Sequence, residues 1–266
     1  ATDHMRRTIN KPVETGQLIE TARSIYDHGW TTLKLYFMIG HPSETIEDVQ
    51  AIADLCKAVL RVGRQTIGGR ARLHVGVSTF VPKPHTPFQW VPCNSEEEIQ
   101  AKQDLLKRSL RDSNMKLSWT IPEETMLEAW LSRGDRRLGK VILRAWQLGA
   151  KFDAWQDQAH FDQWRQAFAE AGLSAEFYSH RLRSTSEILP WSHIHTGVRP
   201  KYLLQEYERS LVGETRPDCR TGCTGCGILP EFIEARRENP GPNWKCPEIK
   251  RGDPCAARLT AQVGGD

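Results

Sequence analysis

An α/β fold on parallel strands, passing into a mostly helical region and then a cysteine-rich tail, is what this 266-residue chain predicts. Three observations carry the prediction. Across residues 1–113, helix-period apolar stripes alternate with short strand patterns. Across 114–217 the strand signal fades and helical stripes follow one another. Across 218–266 five of the seven cysteines crowd together (Cys219, Cys223, Cys226, Cys246 and Cys255), leaving only Cys56 and Cys93 for the rest.

The first helix is predicted from Thr15, where Leu18, Ile19, Ala22, Ile25 and Tyr26 share a face and Gly29 supplies the stop. Leu33 to Ile39 reads as a strand buried on both faces, as in a parallel sheet. After Gly40-His41-Pro42-Ser43-Glu44, Thr45 caps a second helix and Asp48 reaches back to it. Its stripe runs Ile46, Val49, Ile52, Ala53, Cys56, Val59 and Leu60, with an expected end at Gly63. Cys56 lies within that stripe and reads as a core residue. A basic loop holding Arg61, Arg64, Arg70 and Arg72 then leads to a strand at Leu73 to Val81. Ser95-x-x-Glu98 opens a third helix through Ile99, Leu105, Leu106 and Leu110. Strand, helix and strand in series predict right-handed βαβ units in a parallel sheet or barrel.

From Met115 onward one short strand candidate, Lys116 to Thr120, precedes helices near 123–131, 136–148, 161–171 and 202–211. Trp130, Trp146, Trp155, Trp164 and Trp191 punctuate this region and read as core. The stretch from Gly227 to Asp266 is rich in proline, glycine and charge, and is predicted irregular outside any metal knuckle.

Composition narrows the function classes. Hydrophobic residues at 39% and charged residues at 26% are ordinary for a globular chain. No run approaches the ~18 apolar residues of a membrane span. The first ten residues carry no apolar signal core, so a cytoplasmic location is expected, and a start at Ala rather than Met reads as a piece of something longer. A net charge of +3 is too small to demand a nucleic-acid partner. An odd number of cysteines without a secretory signal points to metal or free thiols rather than a disulfide framework.

Ligands of parallel α/β folds sit at the carboxyl ends of strands. Two such ends stand out. At the first, Gly40 has no Cβ and admits close backbone approach, while Thr45 presents a helix N-terminus; a plain capped turn is the competing reading. At the second, Pro82, Pro84 and Pro87 stiffen the loop after Ser78 to Val81, as a ligand wall or as a plug. In the tail, Cys219-x3-Cys223-x2-Cys226 lies among Gly222, Gly225 and Gly227, whose freedom lets three thiolates converge on one ion. Cys246 and Cys255 are candidate fourth ligands, and an auxiliary Fe–S cluster, zinc and no metal all stay open. His193-x-His195 shares a face but reads as ordinary surface, and Glu44 and Asp48 read as helix-start residues.

The segment from Lys34 to Thr45, with Asp48, resembles the fifth-strand signature of radical S-adenosylmethionine (SAM) enzymes, and Val77 to Trp90 resembles their sixth strand and following loop. The likeness is closest to the cobalamin-binding, YgiQ-like branch of unassigned substrate. It continues through Gly134 to Gly139, Pro190-Trp191 and Gly197-Val198 to Asp218-Cys219-Arg220. It implies a partial (βα)6 TIM-like barrel of which this chain holds the last two strands. It also implies SAM across the strand ends, with Ile39 and Gly40 near the adenine and Val81 and Pro82 on the other side. The family's [4Fe–4S] cluster, which reduces SAM to a 5′-deoxyadenosyl radical, sits on a Cys-x3-Cys-x2-Cys loop after the first strand. That loop and any cobalamin-binding domain belong upstream of Ala1, so this chain alone is expected to be inactive. A flavodoxin or ferredoxin would supply electrons. The tail triad has the same spacing but follows the barrel, which makes it an accessory site. The alternative from another class is a stand-alone zinc- or Fe–S-knuckle module gripping nucleic acid through the tail and the arginine-rich loop.

Overall fold

Three parallel strands, β1 (Thr32–Ile39), β2 (Arg72–Thr79) and β3 (Met115–Trp119), form one sheet in the order β1-β2-β3. β1 and β2 run in register from Thr32 opposite Arg72 to Ile39 opposite Thr79, and β2 and β3 from Leu73 opposite Met115 to Val77 opposite Trp119. The computed structural model describes residues 1–11, 13–153, 155 and 158–240. Where the family likeness implies two strands, the sheet has three, and β3 joins it from beyond residue 113.

The crossovers are helical. α1 (Asp3–Thr8), unmarked by any apolar period, precedes α2 (Thr15–Asp27), which stops where Gly29 turns left-handed at φ +89°. α3 (Ile46–Ile67) opens with the expected box: the Asp48 N–H donates to Thr45 Oγ1 and the Thr45 N–H to Asp48 Oδ2. It does not end at Gly63. A Cβ there would lie 2.7 Å from the Tyr26 ring and 2.8 Å from the Ala71 Cβ, so this glycine permits close crossing of α2, and Gly68 ends the helix at φ +67°. Arg61 and Arg64 consequently belong to the helix rather than to a basic loop. α4 (Glu96–Ser109) starts at Ser95 and Glu98 as expected.

These helices cover one face of the sheet. Leu33, Leu35, Phe37, Leu73, Val75, Val77 and Leu117 pack against Tyr26, Ile52, Cys56, Val59, Leu106 and Leu110. The opposite face is bare, with Lys34, Tyr36 and Met38 exposed along β1 and Tyr36 80% exposed. β1 is therefore buried on one face only, because its amphipathic alternate residues carry no layer above them.

A second core gathers α5 (Pro122–Arg133), α6 (Leu138–Gln147), α7 (Phe161–Glu170) and α8 (Ala175–Ser179) around Met126, Trp130, Val141, Trp164, Phe168 and Tyr178. α9 (Pro200–Leu211) closes a third, smaller core with Leu203 against Trp90, Leu189 and Trp191. Trp130, Trp164 and Trp191 are buried as expected, but Trp146 and Trp155 are 55% and 65% exposed. Gly227 onward is less irregular than its composition suggests: α10 (Ile228–Glu231) and α11 (Ile233–Glu238) are short helices. No described helix is long and apolar enough to cross a membrane.

Candidate functional site at the strand ends

The loops leaving β1 and β2 are stitched together. The Phe80 N–H donates to the Ile39 carbonyl at 2.8 Å, continuing the ladder one residue past the sheet. Gly40 takes φ +87°, and a Cβ on it would lie 3.2 Å from Asn94 Oδ1 and 3.3 Å from Thr79 Cγ2. Its N–H donates to Glu44 Oε1 at 2.8 Å, and Lys102 Nζ from α4 bridges Glu44 Oε1 and Asn94 Oδ1, each at 2.8 Å. The side chains of Glu44 and Lys102 are only 3% and 15% exposed, so the ion pair is little screened by water and fixes the turn. Glu44 is thus a helix-start residue that also holds Gly40. Lys102 gave no local signal, because its partners lie on other elements.

His41 packs between the rings of Phe80, 5.0 Å away, and Phe88, 4.7 Å away. The Ser43 N–H donates to its Nδ1 at 3.2 Å, which places the ring proton on Nε2, a buried atom with no partner among the described residues. Burial, reinforced by the charge of Lys102, lowers its pKa to about 4, so it is neutral at neutral pH. Phe88 and Trp90 in turn meet Tyr207, at 6.3 and 5.8 Å, which brings α9 over this end of the sheet.

Beside the stitched loops lies a cavity of about 450 Å³, lined on the sheet side by Tyr36, Met38, His41, Glu44, Asp48 and Ser78 and on the other by residues from Ala1 to Leu18. Its size falls in the small-molecule range. The four candidate ligand residues, Ile39, Gly40, Val81 and Pro82, gather at this end, and all are buried. The Ile39 side chain belongs to the core under α3 and Val81 to the second core. The surface open to a ligand is that of Met38 and Ser78, with the buried His41 behind it. The proline loop is stiff: Thr86 Oγ1 donates to the Lys83 carbonyl at 2.7 Å, and Lys83 Nζ reaches Glu128 and Ser132 on α5.

The tail cysteines lie apart from the sheet, against α9. Cys219 is exposed and Cys226 half-buried, both free thiols, whereas Cys223 is disulfide-bonded. The Cys226 carbonyl accepts from the Arg199 N–H at 2.8 Å, and Phe232 presses on Gly197, where a Cβ would lie 2.5 Å from its ring. Among the described residues no group of three or more His, Cys, Asp or Glu is placed to hold a metal ion. Cys246 and Cys255 lie outside the described residues. His195 meets Glu231 at 3.2 Å and His193 is exposed, so that pair is engaged as surface.

A 142-residue stretch is 25% identical to an uncharacterized protein of Methanocaldococcus jannaschii, covering 53% of this chain and 30% of that protein. No family model and no solved structure matches the chain.

Proposed function

We propose that this chain is part of a radical SAM enzyme and contributes a sector of its barrel wall with the strand ends that face the cofactor. The observation that carries the reading is a juxtaposition. The two segments that resemble the family's fifth and sixth strands are neighbouring parallel strands, and their loops are joined at the carboxyl end by the Phe80 to Ile39 hydrogen bond. Consecutive strand order with α2, α3 and α4 on one face is also how a barrel wall is wound.

The cavity beside Met38, His41 and Ser78 fits a nucleoside-sized ligand in volume. It offers apolar walls for a base and, at its edge, the Asp48 carboxylate, whose oxygens already accept from Thr2 and Thr45 and which adds negative charge toward a cationic group. When bound, SAM supplies the methionyl sulfonium whose reductive cleavage starts radical chemistry. This chain's residues would orient it: Tyr36 and Met38 present apolar surface to it from β1, and the Gly40–Glu44–Lys102 link holds the turn. Among the described residues no group of three or more His, Cys, Asp or Glu is placed for the reducing cluster. Substrate, electron donor and cobalamin belong to the whole enzyme under the same proposal. With Cys223 disulfide-bonded, Cys219 and Cys226 are the two tail thiols left to an accessory site under the same proposal.

Reading the coding DNA upstream of the Ala1 codon tests this. An in-frame Cys-x3-Cys-x2-Cys loop following a strand is expected. A stop codon with no such loop after it sinks the proposal, and tight zinc retention with salt-sensitive RNA binding would then favour the knuckle module.

A further inference from the structure

The bare face of the sheet carries an ordered row of basic residues. Register places Lys34 beside His74 and His74 beside Lys116, one residue from each strand at the same level. Residues opposed in register project to the same side, and it is the side without helices, since Leu33, Leu35, Leu73, Val75, Met115 and Leu117 face the core. Lys34, His74 and Lys116 make no ion pair or hydrogen bond with any described residue. Lys34 and Lys116 flank the central strand at one level with no anion between them, so their like charges are left uncompensated on the bare sheet.

The row also borders a concavity. A cavity of about 250 Å³ is lined by Lys34, Leu35, Tyr36, His74, Gly76, Lys116 and Ser118, with no acidic residue among them. Gly76 removes the central side chain one level further along β2. The Tyr36 ring leans over that gap, where a Cβ would lie 3.0 Å from its Cδ1, and walls one side. Lysines on the edge strands β1 and β3 also discourage edge-to-edge pairing, but that role requires neither a shared level nor a base on the central strand.

We propose that the Lys34–His74–Lys116 row is an oxyanion-binding site, which takes a phosphate or carboxylate group of a small anionic ligand above Gly76. Two ammonium groups supply charge-assisted donors and the imidazole between them a further N–H, and Ser118 stands at the rim, its hydroxyl donating to the Val75 carbonyl at 3.5 Å. The site shares Tyr36 with the strand-end cavity, but its three bases lie on the other half of the sheet face, so it does not depend on the radical SAM reading.

Titration of the chain with inorganic phosphate, followed by amide and imidazole NMR shifts at constant ionic strength, tests it, with sodium chloride and citrate as parallel arms. Saturable shifts centred on Lys34, His74, Gly76 and Lys116 are expected with phosphate and not with chloride. Citrate reproducing them assigns the site to carboxylates as well as phosphates. Lys34→Ala and Lys116→Ala should each weaken phosphate binding roughly tenfold, while Lys57→Ala on α3 leaves it unchanged. Both variants alter exposed side chains, and a retained circular dichroism spectrum confirms their fold. Shifts that chloride reproduces, or that spread over the basic surface and survive Lys34→Ala and Lys116→Ala, overturn the proposal and leave the lysines as guards of the strand edges.

Discussion

Two buried ionisable residues set the behaviour of this molecule in opposite ways. His41 is held neutral with a pKa near 4, whereas a histidine in the unfolded chain titrates near ~6.5. Below that value the unfolded state takes up a proton that the folded state refuses. Stability is therefore full above about pH 6.5 and falls as the pH drops toward 4. His41→Phe, which keeps an aromatic ring between Phe80 and Phe88, should remove about 2 kcal/mol of the stability lost between pH 7 and pH 5. Urea unfolding at both pH values measures this, and an unchanged pH dependence rules out His41 as its source. Arg133 is the contrary case. Desolvation lowers its pKa only to about 10, so it stays charged, and its donors are used on carbonyls: Tyr178 at 2.7 Å, Val91 at 2.6 Å and Arg181 at 2.9 Å. It pins α8, the residues just after it and the Val91 loop to the end of α5. Arg133→Met leaves those carbonyls unpaired and should cost about 3 kcal/mol or more in urea unfolding. A loss under 1 kcal/mol would mean that water replaces the guanidinium.

At the scale of elements, what was legible in the sequence was local. The boxes at Thr45–Asp48 and Ser95–Glu98, and the stop at Gly29, are decided within a few residues, and each forms as its neighbours dictate. What was illegible depended on elements far along the chain. Gly63 looks like a helix stop until α2 is laid across it. Glu44 looks like a helix-start acid until Lys102 arrives from α4. The strand pattern of β1 cannot show that one of its faces stays open, because Tyr36 and Met38 are apolar enough for either side. The glycines give a direct test. In α3, Gly63→Ala gains up to about 1 kcal/mol of helix propensity but drives a methyl into the Tyr26 ring and Ala71, so a net loss of about 1–3 kcal/mol is expected. In α6, Gly139 has nothing within 4 Å of a Cβ, and Gly139→Ala should stabilise by a few tenths of a kcal/mol. Thermal denaturation that ranks the two variants the other way would mean α2 and α3 do not cross as described.

For the molecule as a whole, the question is whether the sheet and the helical region act as separate domains. Composition and rhythm suggested a border near residue 113, yet β3 lies beyond it and pairs with β2 along five residues. α4 also contributes to two cores: Leu106 lies in the sheet core and Ile99 in the helical one. A helix shared between cores cannot leave one without exposing part of the other, which couples their unfolding. Leu106→Ala removes packing only from the sheet core and should cost about 2–5 kcal/mol. If the two cores are coupled, native-state hydrogen exchange will show the slow amides of β2 and of α5 losing protection by the same amount in this variant. Protection lost in β2 but kept in α5 would show two independent units, and the strand-end turn at Gly40 would then rest on a sheet stabilised only by α2, α3 and α4. Equal losses would instead mean that the Lys102–Glu44 link, carried on the shared helix, draws on the stability of both cores, so that substitutions deep in the helical region loosen the candidate site without touching it.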